Sequence, residues 1–150
     1  MTAQTVLSTI VLVGCSAAKA AGPRPARDLY LSHMFFLARA YAERHGDQWF
    51  ILSAQYGLVE PDERLEPYDR RLQDLDRADR REWGEVIADE LGRRTQRGDR
   101  LIVLAGRSYV DPWRDLVGRT LALTVEEPLA GLGVGQRLHW LKAALAARRA

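Results

Sequence analysis

Thr9-Ile10-Val11-Leu12-Val13-Gly14 (TIVLVG) is the stretch on which the fold turns. An unbroken, β-branched apolar run stopped by a glycine reads as a strand buried on both faces. A strand of that kind belongs to a parallel sheet with helices on either side. The signature recurs at Trp49 to Leu52 (WFIL), followed by the turn Ser53 to Gly57, and at Leu101 to Ala105 (LIVLA), followed by Gly106. A fourth strand is read over Thr120 to Val125. Helices fill the intervals. One runs from His33 to His45, capped by Ser32 and closed by Gly46, with Phe36, Leu37, Ala40 and Tyr41 on one face. A longer one spans about Asp79 to Gln96, its inner face Trp83, Val86, Ile87 and Leu91. A third starts at Asp111-Pro112 with the aspartate as cap, and a last amphipathic helix begins near Gln136. Strand and helix alternate throughout, which predicts a parallel sheet in a three-layer α/β/α domain.

The chain has 150 residues, enough for one domain with a substantial core. Its formal net charge is +2, too small to demand a polyanionic partner. The arginines are nevertheless clustered, at Arg64, Arg70, Arg71, Arg77, Arg80 and Arg81 and again at Arg93, Arg94, Arg97 and Arg100. Interleaved acids fit a solvated, salt-bridged helix face, and a phosphate-facing surface is the alternative. The lone cysteine, Cys15, excludes an intrachain disulfide. His33, His45 and His139 lack metal-ligand spacing, so no metal and no cofactor is expected. No leader pattern or bilayer-spanning run is read, and a cytoplasmic, non-membrane protein is expected.

Ligands of open parallel sheets sit outside the carboxyl ends of the strands. That rule gathers four polar stretches at one edge. Gly14, Cys15, Ser16 and Lys19 leave the first strand, offering free N–H groups, a hydroxyl and a charge without the spacing of a Walker loop. Ser53, Gln55, Tyr56 and Gly57 leave the second; an aromatic ring can stack on a flat heterocycle and an amide can bond its edge. Gly106 to Tyr109 leave the third. Gly131, Gly133 and Gln136 open the last helix, where free N–H groups suit an anion or a carbonyl. Two further segments carry candidate groups. Arg27, Asp28 and Tyr30 suit a sugar or phosphate, or equally a surface turn. Tyr68 and Asp69, in the proline-marked stretch Glu60 to Asp69, hold a carboxylate suited to stabilising a cationic sugar.

Taken in order, the blocks GCS with Lys19, ARDLY (Ala26 to Tyr30), ILSAQYGL (Ile51 to Leu58), PYD (Pro67 to Asp69) and PLAGLGVGQ (Pro128 to Gln136) resemble an uncharacterised bacterial and phage family, some members of which carry a peroxide-stress-like label. That family is similar to uracil-DNA-glycosylase-like domains and to anti-phage glycosylases that remove modified bases from DNA. The resemblance implies a uracil-DNA-glycosylase-like fold with a four-stranded parallel sheet, order 2-1-3-4, and a base pocket at its carboxyl edge. The water-activating loop of those glycosylases carries an Asp or Asn near a proline and a glycine. Here the corresponding loop is GCSAAK, without a carboxylate, which leaves Asp69 and Asp28 as the catalytic candidates. The implied activity is hydrolysis of the N-glycosidic bond of a modified base, with nucleic acid as partner, DNA ahead of RNA. Tyr56 would stack on the base, Gln55 or Gln136 would read it, and Lys19, Arg27 and the arginines of the middle segment would hold phosphates. The alternatives are a non-catalytic nucleotide-sensing module and an enzyme of free nucleosides.

Overall fold

The computed structural model describes residues 6–147. Its centre is β1 (Thr9–Gly14), which pairs in parallel with β3 (Gln48–Ser53) on one side and β6 (Arg100–Leu104) on the other. The strand β7 (Thr124–Glu126) adds in parallel beyond β6. A fifth strand, β4 (Gly57–Val59), lies antiparallel to β3 at the opposite edge, giving the order β4-β3-β1-β6-β7. The sheet is therefore five-stranded and mixed, not the four-stranded all-parallel one expected. The extra strand exists because Gly57 takes a φ of 78°, which folds the chain straight back onto β3. A separate two-residue ribbon pairs β2 (Arg24–Pro25) with β5 (Arg64–Leu65), so the proline-marked stretch Glu60 to Asp69 holds one short pairing.

Alternate side chains of each central strand enter opposite cores, as the two-residue period of a strand requires. Ile10, Leu12, Phe50, Leu52, Leu101 and Val103 pack under α3 (Arg77–Arg94) and α4 (Asp111–Thr120), against Trp83, Ile87, Leu91, Trp113 and Val117. Val11, Val13, Ile51, Ile102 and Leu104 pack on the other face, under the helical turn α1 (Ala26–Leu29), α2 (His33–His45) and α5 (Val134–Ala146). Two covered faces account for the unbroken apolar runs in the sequence.

Ser32 caps α2 by accepting the Phe35 N–H at 3.1 Å. The buried face of that helix is Phe35, Ala38 and Ala42, one step round from the expected stripe, and Phe36 is exposed. Val86 likewise faces outward from α3, while Trp83, Ile87 and Leu91 are buried. Asp111 is the first residue of α4 and not its cap, which is Val110. Thr120 is the last residue of α4, and β7 starts only at Thr124, after Ala122 turns the backbone at φ 51°.

The two ends of the sheet differ in chemistry. At the amino ends, Asp47 accepts the Thr9 N–H at 2.7 Å, and buried Asp99 accepts from Ser8 at 2.9 Å and Gln96 at 2.7 Å. Those carboxylates close the backbone there. The carboxyl ends carry tyrosines, a serine, a thiol and a cleft. No helix among the described residues is long and apolar enough to cross a membrane.

Candidate ligand site at the carboxyl edge of the sheet

Ser53 ends β3 and organises the edge. Its hydroxyl accepts the N–H groups of Gln55 at 3.3 Å and Tyr56 at 3.0 Å, which fixes the turn into β4. It donates to the Tyr68 hydroxyl at 2.8 Å, and the hydroxyls of Tyr68 and Tyr30 lie 2.8 Å apart. The Ser53 carbonyl accepts the Trp83 indole N–H at 2.9 Å, tying α3 to the same corner. Ser53 and Tyr30 are fully buried, and Tyr68 is half-buried. Tyr30 therefore supports the site from beneath. Burial pushes its phenol up to about 12, against the opposing pull of its Tyr68 hydrogen bond. Burial raises the Tyr68 phenol further, and raises Tyr109 as well, with neighbouring Cys15 adding to both. All three phenols are consequently neutral at physiological pH and act as hydrogen-bonding groups only.

Tyr68 is also the centre of an aromatic corner. Its ring meets Tyr56 edge-on at 5.4 Å and Tyr30 at 6.4 Å, and the Lys19 ammonium sits 4.2 Å from its centroid. Lys19 otherwise bonds the Ala17 carbonyl at 3.3 Å, and Ser16 the Ala18 carbonyl at 3.0 Å, so both side chains shape their own loop. Cys15 is half-buried, its N–H held by the Leu52 carbonyl at 3.1 Å. Gly14 is needed for close approach: a Cβ there would lie 3.1 Å from the Cβ of Ala105, where β1 and β6 end side by side.

A cleft of about 380 Å³ opens on the α3 side of this corner. Ala54 to Gly57 form one wall, Asp79, Glu82, Trp83 and Val86 the other, and Arg70 and Leu75 complete it. Its size is at the lower end of the range for small-molecule sites. Tyr56 keeps 38% of its surface exposed, and Gln55 is exposed beside it. The Tyr56 hydroxyl is tethered to the Glu66 carbonyl at 3.3 Å, which steadies the ring. The residues that sequence reasoning missed as lining are Leu75, Asp79 and Glu82, together with Trp83 and Val86, which it assigned only to the core; Arg70 was offered only as one of the middle-segment arginines. An apolar-period reading gives no signal for exposed helix residues that happen to face a loop.

The glycine-rich loop reaches the edge differently from expectation. Gly133 caps α5, and its N–H is bonded by the Gln136 side chain at 3.0 Å. Gln136 is thereby engaged with its own helix. The group α5 sends toward the strand ends is Arg137, whose guanidinium bonds the Leu132 carbonyl at 2.8 Å and lies 3.7 Å from where a Cβ on Gly106 would be. Gly131 is exposed, with a φ of 77°. Of the two carboxylates, Asp28 pairs with Arg39 at 3.1 Å and Arg27 at 3.8 Å, and Arg27 also pairs with Asp62. Asp69 is exposed next to Tyr68 and makes no ion pair or hydrogen bond among the described residues. No cluster of His, Cys, Asp and Glu that could hold a metal occurs among the described residues. Several arginines of the middle segment are indeed salt-bridged, Arg71 to Asp74, Arg81 to Glu85, Arg93 to Asp89 and Arg94 to Glu90.

A mostly parallel sheet with a cleft at its carboxyl edge defines an α/β protein with a candidate ligand site there. Within that class, the chain belongs to the family of unknown function DUF6884, whose profile matches residues 10–143. Neither the curated proteins nor the solved structures gave a match.

Proposed function

We propose that this protein binds a nucleobase-bearing ligand, most directly a modified base in DNA, and hydrolyses its N-glycosidic bond in the cytoplasm, as part of defence against phage or of DNA repair. The observation that carries the reading is the pairing of a partly exposed, tethered Tyr56 ring with the exposed Gln55 amide on one wall of the cleft. A flat heterocycle stacks on the ring and bonds the amide. The resemblance to uracil-DNA-glycosylase-like domains supports the same reading. In the hydrolysis, a water oxygen bonds to the anomeric carbon as the C–N bond breaks. The electron pair of that bond leaves with the base, which takes up a proton, and the attacking water loses one. Of the two carboxylates singled out in the sequence, Asp69, beside the cleft-lining Arg70, is the one left to stabilise the developing sugar cation, because Asp28 is committed to Arg39.

Binding without cleavage is the second reading. It is favoured by Asp69 itself, whose exposed carboxylate has no hydrogen bond among the described residues to hold it in place. One experiment separates the two: incubation with genomic DNA from phages of varied base modification, with released bases detected by mass spectrometry. Release of one base supports the glycosylase. Retention of such DNA on the protein with no release favours the binding module, and neither retention nor release from any DNA removes the polymer partner.

A further inference from the structure

We infer that the cleft selects bases carrying an exocyclic amino group, such as cytosine, adenine, guanine and their derivatives, over uracil and thymine. The inference rests on the nucleobase reading and deepens it. Its basis is the pattern of charge along α3. Elsewhere on this helix carboxylates are neutralised one turn away: Arg81 with Glu85 at 3.5 Å, Asp89 with Arg93 at 2.8 Å and Glu90 with Arg94 at 3.8 Å. The two acids that line the cleft, Asp79 and Glu82, have no ion pair among the described residues. Their i+4 neighbours are Trp83 and Val86, which line the same cleft and offer no charge. The cleft thus holds two carboxylates with free acceptor capacity among the residues that line it with Gln55 and Tyr56.

A carboxylate is an acceptor only, so it favours a base edge that presents N–H donors and repels one that presents carbonyl oxygens. The amino groups of cytosine, adenine and guanine are such donors, whereas uracil and thymine carry a carbonyl at the corresponding place. Arg70 is in the same cleft and has no ion pair among the described residues. Its guanidinium supplies the donor that a base carbonyl or ring nitrogen requires. Gln55 offers both an acceptor and donors, so it is compatible with either class and does not discriminate. Preference for an amino-bearing edge therefore falls to Asp79 and Glu82, since Arg70 serves the carbonyls and ring nitrogens that both classes of base carry.

The test is calorimetric titration of the full chain with cytidine, adenosine, guanosine, uridine and thymidine, repeated on Asp79→Asn and Glu82→Gln. Both substitutions are at exposed positions, and an unchanged melting temperature confirms the fold of each variant. At least one amino-bearing nucleoside is expected to bind wild type about tenfold or more tightly than uridine or thymidine, the scale of one well-made base contact. At least one of the two variants should lose most of that preference, because an amide can turn a donor toward a carbonyl. Equal binding of all five nucleosides, or a preference that survives in both variants, overturns the inference and leaves the nucleobase reading standing. Binding of none of the five overturns the inference, while the nucleobase reading stands or falls on the release and retention of phage DNA.

Discussion

Asp28 and Asp69 are the same residue type in neighbouring parts of the fold, and their surroundings separate them. Asp28 lies between Arg39 and Arg27, and Asp69 follows the half-buried Tyr68 with its carboxylate free of ion pairs among the described residues. If the bond is cleaved, Asp69→Asn should slow single-turnover base release on the order of 10²–10⁴-fold while substrate binding changes little, because the charge it stabilises exists mainly in the transition state. Asp28→Asn should leave release near wild type and cost under about 1 kcal/mol of stability, as an exposed pair does. Wild-type release by Asp69→Asn removes it from the mechanism. Tyr56 should matter to binding: Tyr56→Ala is expected to weaken affinity by about 1–3 kcal/mol, the range measured for base stacking on an aromatic ring. An unchanged dissociation constant for Tyr56→Ala would place the base elsewhere. The candidacy of Tyr56 and Gln55 was legible from an aromatic and an amide at a strand exit. The engagement of Gln136 with Gly133 was not, since glycine spacing says nothing about which partner a glutamine finds.

Helices α3 and α4 meet backbone to backbone at Gly84. A Cβ there would lie 2.3 Å from the Pro112 carbonyl oxygen and 2.7 Å from its Cβ, so the helices would have to separate. Alanine gains about 1 kcal/mol over glycine in a helix, but overpacking costs about 1–3 kcal/mol and sometimes more. Gly84→Ala should therefore lower the urea midpoint. Gly118 in α4 has open space where its Cβ would be, so Gly118→Ala should raise the midpoint by the propensity gain alone. Opposite signs for two glycines of one helix pair distinguish packing from propensity, and a stabilising Gly84→Ala would mean that α4 yields easily. At this scale the sequence was informative where elements are long and apolar. The core strands and α2 were read close to their bounds. The three-residue β4 was missed because Gly57-Leu58-Val59 is too short to show a period, and its pairing depends on a turn set by the Ser53 side chain. The start of β7 was misplaced because Ala122 makes its turn without glycine or proline to announce it.

Across the whole molecule, the carboxyl edge concentrates neutral phenols that must stay neutral. Tyr30, Tyr68 and Tyr109 each have a folded-state pKa above the ordinary 10.0, chiefly from burial. The sequence placed these tyrosines among the candidate groups of one site, but their burial and the hydroxyl pairing of Tyr30 with Tyr68 had no signal in it. A raised folded-state value means that the unfolded chain ionises first. The stability these groups contribute is therefore fully present below about pH 10, and is lost as pH rises from there through the folded-state values. Tyr30, raised to about 12, accounts for roughly 3 kcal/mol of that loss on its own. The melting temperature should be nearly level from neutral pH to about 10 and fall steeply between 10 and 12. The cations of the chain are nearly all arginine and keep their charge through that window, so the fall reports the phenols. Tyr30→Phe is the decisive variant. At neutral pH it should be destabilised by about 1 kcal/mol, for the lost hydrogen bond to Tyr68. Above pH 10 its melting temperature should fall less steeply than that of wild type, and the two curves should meet and then cross, because the loss carried by Tyr30 exceeds the difference at neutral pH. A wild-type curve that stays level to pH 12, or a Tyr30→Phe curve that runs parallel to it throughout, would show that the buried hydroxyl cluster does not hold the edge together.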